Sequence, residues 1–161
     1  EQPEHSDFAA SIARRLISIS QIQTAMIDTS DARITDIVTR IVQAFDGHGI
    51  ATINPLPDAR LPESGARALG LVVGELCTNS LKHGSLGGKG ILTISAEQDG
   101  QILHIDWTER HATVRHRETT ASSGLGTGIM STMLRVIGGT LESETLEDGY
   151  RARLTMPVPV A

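Results

Sequence analysis

The sequence predicts a two-layer α/β sandwich, with one mixed, largely antiparallel sheet and helices on one of its faces. Three observations carry this expectation. Long segments of helical periodicity are followed by short segments that alternate apolar and polar residues. Two pairs of alternating segments are joined by turn chemistry, Asp99-Gly100 and Glu147-Asp148-Gly149, as β-hairpins are. The core must also be aliphatic: hydrophobic residues make up 39% of the 161-residue chain but aromatic residues only 2%. That length is enough for one domain with a real core.

Residues 6–28 read as a helix, with Phe8, Ile12, Leu16, Ile19, Ile22 and Met26 at three- and four-residue spacing. Ser6 is its expected N-cap and Asp7 lies in its first turn. Little precedes this stripe for it to pack on. It calls for a partner helix from an upstream piece or another subunit, and is expected to project from the sandwich. Thr29-Ser30-Asp31 breaks the pattern. A second helix is expected over about 32–45, with Ile34, Ile37, Val38, Ile41, Val42 and Phe45 on one face. Asp46-Gly47-His48-Gly49 ends it. Residues 50–53 form a short strand and 54–57 a loop. Pro62 stands where a first helical turn tolerates it, so the next helix starts near Glu63. After a glycine-rich turn over 84–90, Leu92, Ile94 and Ala96 alternate with Thr93 and Ser95, and residues 102–108 return. Residues 110–123 are polar and aperiodic, the mark of a lid or a disordered segment. Residues 124–137 open on glycines and become an apolar helix that Gly138-Gly139 stops. Strands over 140–145 and 150–156 complete the sheet, and Pro157 closes it.

Composition excludes several functions. A net charge of −5 and the scarcity of aromatic residues oppose a nucleic-acid face. No apolar run approaches membrane-spanning length, no signal peptide is visible, and no membrane contact by this segment is expected. Cys77 is the sole cysteine; it has no internal disulfide partner and reads as a small buried hydrophobe. A cytoplasmic location fits these features.

Three polar features remain. At about 100° per residue, Glu75, Asn79 and Lys82 fall on one side of the helix, with His83 close by. Leu69, Val73, Leu76 and Ser80 fall on another side, the first three facing the core. An amide oxygen suits Mg²⁺ as one of few protein ligands, a lysine serves phosphate as a point charge, and Glu75 can accept a proton or hold a water. The plainer alternative is a polar rim on a half-buried helix. The second feature, Asp106-Trp107-Thr108-Glu109, ends a strand. A carboxylate there can accept a hydrogen bond from an exocyclic amine such as adenine's. By alternation Trp107 shares the core face of Leu103 and Ile105, and Asp106 points to the other face. The third, Gly124-Leu125-Gly126-Thr127-Gly128, opens a helix, where glycines let backbone N–H groups approach phosphate oxygens. A lid hinge is the alternative there. A dinucleotide-binding fingerprint is not supported, because a polar loop rather than a strand precedes the glycines.

In this order the three features resemble the ATP-binding catalytic domain of sensor histidine kinases, within the wider superfamily of gyrase, heat-shock and histidine kinase ATPases. Glu75 to Gly84 resembles the N-box. Trp107-Thr108-Glu109 resembles the Trp-x-Glu element of the HWE subfamily, which stands where most relatives carry the adenine-reading Asp. Residues 124–128 resemble the second glycine box, and Gly138-Gly139 with the strand pair ending in Pro157 resembles the family's C-terminal close. Residues 8–26 resemble the second helix of the dimerisation hairpin. The resemblance implies a partial dimerisation and phosphotransfer helix over 1–29 and an ATP-binding kinase domain over 30–161. It implies ATP and Mg²⁺ as cofactors, with Asn79 on the metal and Lys82 and His83 near the phosphates. Gly124, Gly126, Thr127 and Gly128 would border those phosphates. Glu109 would read the adenine amine, residues 110–123 would form the lid, and Glu75 would act as base or organiser. It further implies protein-histidine kinase activity, a response regulator receiver domain as partner and a homodimer in the intact protein.

Some positions depart from the pattern. Gly74 stands where the HWE group usually has His, and His111 and Ala112 replace glycines expected after Glu109. No phosphoacceptor box is found: His5 follows Glu4, but the pattern after it matches the second hairpin helix. The target histidine is therefore expected outside this chain segment, which would be inactive alone. The altered adenine end motivates a second reading, a degenerate module for dimerisation or regulator docking. A serine-kinase anti-sigma factor is a third, which the amphipathic helix before residue 30 opposes.

Overall fold

In the computed structural model, which describes residues 32–88, 90–111 and 125–159, a five-stranded sheet packs one face against helices. In chain order the elements are β1 (Ala32–Arg33), α1 (Ile34–Phe45), β2 (Ala51–Ile53), β3 (Arg60–Leu61) and α2 (Glu63–His83). A 3₁₀ turn (Ser85–Gly87), β4 (Gly90–Asp99), β5 (Ile102–His111), α3 (Leu125–Val136), β6 (Thr140–Leu146) and β7 (Gly149–Pro157) follow. The sheet order is β2-β4-β5-β7-β6. β2 runs parallel to β4, and every other pairing is antiparallel, which makes the sheet mixed as expected.

The elements follow from their apolar patterns. α1 buries Ile34, Ile37, Val38, Ile41 and Val42, one stripe of a 3.6-residue period. Its end is fixed by Asp46, whose carboxylate accepts from the N–H of Ile50 at 3.0 Å and of Ala51 at 2.8 Å. Burial alone would raise the pKa of that carboxyl. The backbone N–H groups of Ala51, Ile50, His48 and Gly49 outweigh it and hold the group below its ordinary value. α2 buries Leu69, Val72, Val73, Leu76 and Cys77 together with Gly65, Gly70 and Gly74. α3 contributes Met130 and Leu134, and the Gly139 N–H closes it on the Leu134 carbonyl at 2.7 Å.

The inner face of the sheet is read directly from alternation: Leu92 and Ile94, then Leu103, Ile105 and Trp107, then Ala152, Leu154 and Met156 are all buried. The outer face is polar. Arg153 donates to both oxygens of Asp106 at 2.8 Å and reaches Glu97 at 3.4 Å, while Arg151 reaches Glu144 at 3.3 Å. Asp106 thus points away from the core, as alternation required, and is paired across the strands.

Several boundaries moved. The second helix begins at Ile34 rather than 32, because Ala32 and Arg33 pair with Leu61 and Arg60 as a two-stranded patch. The central hairpin runs to Asp99 and back to His111, past the alternating apolar residues, because its backbone ladder continues over all ten residues of each strand. Residues 6–28 and most of the 110–123 segment lie outside the described residues. Among the described residues, no helix is long and apolar enough to cross a membrane.

Candidate functional site

The last turn of α2 and the end of β5 meet around one carboxylate. Glu109 is 3% exposed, because it shares the inward parity of Leu103, Ile105 and Trp107. Its Oε2 accepts from the Ser80 hydroxyl at 2.9 Å and from the Ser85 N–H at 2.7 Å. Its Oε1 accepts from the Trp107 indole N–H at 2.8 Å. Ser80 Oγ in turn accepts from the Leu86 N–H at 3.1 Å. A buried carboxylate is tolerated when donors surround it, and here three do.

Close approach makes this possible. A Cβ built on Gly84 would stand 1.9 Å from Glu109 Oε2, so only glycine fits at the end of α2. The surroundings feel the carboxylate. Burial first, then the charges of Glu109 and Asp46, push the Cys77 thiol far above its ordinary pKa. Tyr150, the cross-strand partner of Glu109, is half-buried; burial raises its phenol, a hydrogen bond with Ser143 opposes this, and Glu109 adds to the rise.

Of the other expected site residues, Glu75, Asn79, Lys82 and His83 share the helix that carries Ser80. Glu75 and Asn79 are half-buried on α2, one stripe over from its core face, and Asn79 directly precedes Ser80. Lys82 and His83 are exposed in its last turn. No hydrogen bond or ion pair ties Glu75, Asn79, Lys82 or His83 to another described residue, so their polar atoms are free for a ligand. Gly126, Thr127 and Gly128 form the first turn of α3, whose leading N–H groups have no partner within the helix. α3 packs on α2. Gly124 and Ala112 lie outside the described residues. His111 ends β5 with its N–H on the Asp148 carbonyl at 2.7 Å, and the Arg110 guanidinium pairs with the Asp148 side chain.

Among the described residues no group of three His, Cys, Asp or Glu could hold a metal ion. The donors present are one neutral amide, Asn79, and one carboxylate, Glu75, a helical turn apart. That set fits Mg²⁺ bound through one or two protein oxygens with phosphates and water completing the shell.

The sequence reading did not identify Ser80 and Ser85 as part of the site. Two signals were present. Ser80 fell on the core side of the helix, where a hydroxyl needs a partner. Glu109 fell on the inward parity of β5, where a carboxylate needs several.

No family model matches the chain. In sequence it is similar to the blue-light-activated histidine kinase 1 of Erythrobacter litoralis, with 27% identity over an alignment 161 positions long that covers 95% of this chain and 44% of that protein. The chain thus spans less than half the length of this curated relative. In structure it is similar to the histidine kinase domain of the blue-light-activated kinase of Erythrobacter litoralis EL346. The TM-score is 0.67 at 18% identity, over 92% of this chain and 75% of that one. It is also similar to the ATP-binding domain of PrrB from Mycobacterium tuberculosis, with a TM-score of 0.62 at 23% identity, over 83% of this chain and 99% of that one. The chain is therefore related in sequence to a histidine kinase and has the fold of histidine kinase catalytic domains.

Proposed function

We propose that this relative of the histidine kinases is the Mg-ATP-binding catalytic domain of a two-component sensor kinase. It would pass the γ-phosphoryl group of ATP to a histidine outside this segment, for relay to a response regulator receiver domain. The observation that supports this best is the buried Glu109 carboxylate, joined through Ser80 to the helix that bears Glu75, Asn79, Lys82 and His83.

Each residue then has a role. Glu109 accepts the adenine amine. Asn79 offers its amide oxygen to Mg²⁺, which supplies charge neutralisation when bound. Lys82 and His83 lie toward the phosphates, and the N–H groups of the first α3 turn, with Gly126, Thr127 and Gly128, suit the same anions. Glu75 would act as base or organiser. Phosphoryl transfer needs positioning and charge compensation more than a protein nucleophile, which agrees with a site built of donors and one metal ligand. On the same reading, residues 1–29 belong to a dimerisation and phosphotransfer helix, the intact protein is a homodimer, and this segment works in the cytoplasm.

Calorimetric titration of the chain with Mg-ATP tests the binding. The expected result is saturable binding that Asn79→Ala weakens; no binding at millimolar nucleotide overturns the proposal. Incubation with radiolabelled ATP and a histidine-bearing dimerisation segment tests the chemistry. Acid-labile phosphate on that segment supports a histidine kinase, and acid-stable phosphate opposes it.

A further inference from the structure

We propose that Ser80 and Trp107 are positioning residues that set base specificity, by leaving the buried Glu109 carboxylate a single acceptor position with no donor free to turn toward the ligand. This rests on the reading of the site as a nucleotide site and adds to it the means by which an amino purine is told from an oxo purine.

An ionised carboxylate has about four acceptor positions, two on each oxygen. Both on Oε2 are taken, by the Ser80 hydroxyl and the Ser85 N–H. One of the two on Oε1 is taken by the Trp107 indole. The remaining position is on Oε1, beside the indole. On the proposed reading a ligand donor would take it, whereas a ligand carbonyl placed there would face a carboxylate lone pair.

A carbonyl would be tolerated if some neighbour could swing round to donate to it. Each donor here is committed. The Ser80 hydroxyl is the one rotatable group among the three. Its oxygen already accepts the Leu86 N–H at 3.1 Å, which fixes the hydroxyl proton on Glu109. Ser80 is 1% exposed and Trp107 2%, so neither side chain has room to leave. The Ser85 donor is backbone and cannot rotate. The preference for an amine is therefore enforced from behind the carboxylate, by residues that do not themselves meet the base.

Two predictions separate this from a purely structural role. The unaltered chain should bind Mg-ATP at least about tenfold more tightly than Mg-GTP, the size of one hydrogen bond to a charged group. Ser80→Ala and Trp107→Phe each remove a donor that pins the carboxylate, so it can turn away from the base; the ratio should then move toward one while binding of Mg-tripolyphosphate, which lacks a base, stays unchanged. Ser80→Thr, which keeps the hydroxyl, should retain the preference. Calorimetry on the full chain reads all three ligands. Variants that fold, as circular dichroism reports, and keep the full ATP preference overturn the proposal while leaving ATP binding intact. An unaltered chain that binds neither nucleotide overturns both this and the underlying reading.

Should Trp107→Phe fail to fold, the unaltered protein gives the answer through the indole N–H resonance, which is unambiguous because the chain has one tryptophan. Mg-ATP should shift it and Mg-tripolyphosphate should not. Equal shifts with both, or none with saturating Mg-ATP, overturn the proposal.

Discussion

Gly84 lies against Glu109 so closely that a methyl group in place of its hydrogen would stand 1.9 Å from the Oε2 oxygen. The contact joins the end of a helix to the end of a strand, and both sides are fixed. Gly84 is held by its N–H on the Ser80 carbonyl at 2.8 Å, and Glu109 by its three donors. Gly84→Ala should therefore push the carboxylate from its donors and destabilise the fold by about 1–3 kcal/mol, the usual cost of overpacking. A shift in the urea unfolding midpoint with unchanged slope would show it.

Glu109→Gln keeps the shape and reverses the hydrogen bonding at one end. Its NH₂ must face either Ser80 and Ser85 or the Trp107 indole, donor against donor. With a buried donor left unsatisfied, the expected loss is about 2–4 kcal/mol in chemical denaturation. Mg-ATP binding should fall as well.

Asn79→Ala should behave in the opposite way. The side chain is half-buried and makes no hydrogen bond with another described residue, so stability should stay within about 0.5 kcal/mol. Affinity for Mg-ATP should drop by about tenfold or more. The pairing of full stability with weak binding is read by running thermal melts and calorimetry on the same preparation.

Acid should unfold the protein partly through two carboxylates. For Asp106 the Arg153 hydrogen bonds come first, burial opposes them, and the nearby positive charges add to them; for Asp46 the backbone N–H groups outweigh burial. Both are held below the ordinary carboxylate value in the folded state. A depressed folded pKa means stability that is complete above the unfolded pKa and is lost as pH falls toward the folded one. The contribution should be flat above about pH 5 and decline below about pH 4. Replacing Asp106 with Asn should flatten that decline, as measured by melting temperature against pH.

Cys77 should resist thiol reagents in the folded protein. It is fully buried, and burial with the neighbouring carboxylates disfavours the reactive thiolate. Modification should occur at the unfolding rate and accelerate in urea, which a time course with a chromogenic disulfide reagent would follow.

The apolar patterns made most of the fold legible. The stripe from Ile34 to Val42, the run Leu103-Ile105-Trp107 and the turns at Asp99-Gly100 and Asp148-Gly149 each signal an element locally, because side-chain period and turn chemistry are local properties. The patch of Ala32 and Arg33 on Leu61 and Arg60 was not legible, since two residues carry no period. At the site, the helix bearing Glu75, Asn79 and Lys82 was readable from its wheel. The union of Ser80 with Glu109 was not, because it spans 29 positions and depends on how the helix lies on the sheet. Alternation along β5 had placed Trp107 inward, and Glu109, two residues on, shares that face in the structure.

That separation along the chain has a kinetic meaning. The helix by itself carries Asn79 and Lys82 but has no floor of strand residues beneath Ser80. The floor exists only once β5 has joined the sheet and α2 has docked across it. On the proposed reading, a partly folded copy therefore lacks the carboxylate that would meet the base. A nucleotide that bound only the finished protein would stabilise it by mass action, lengthening the lifetime of the native state rather than hastening its formation.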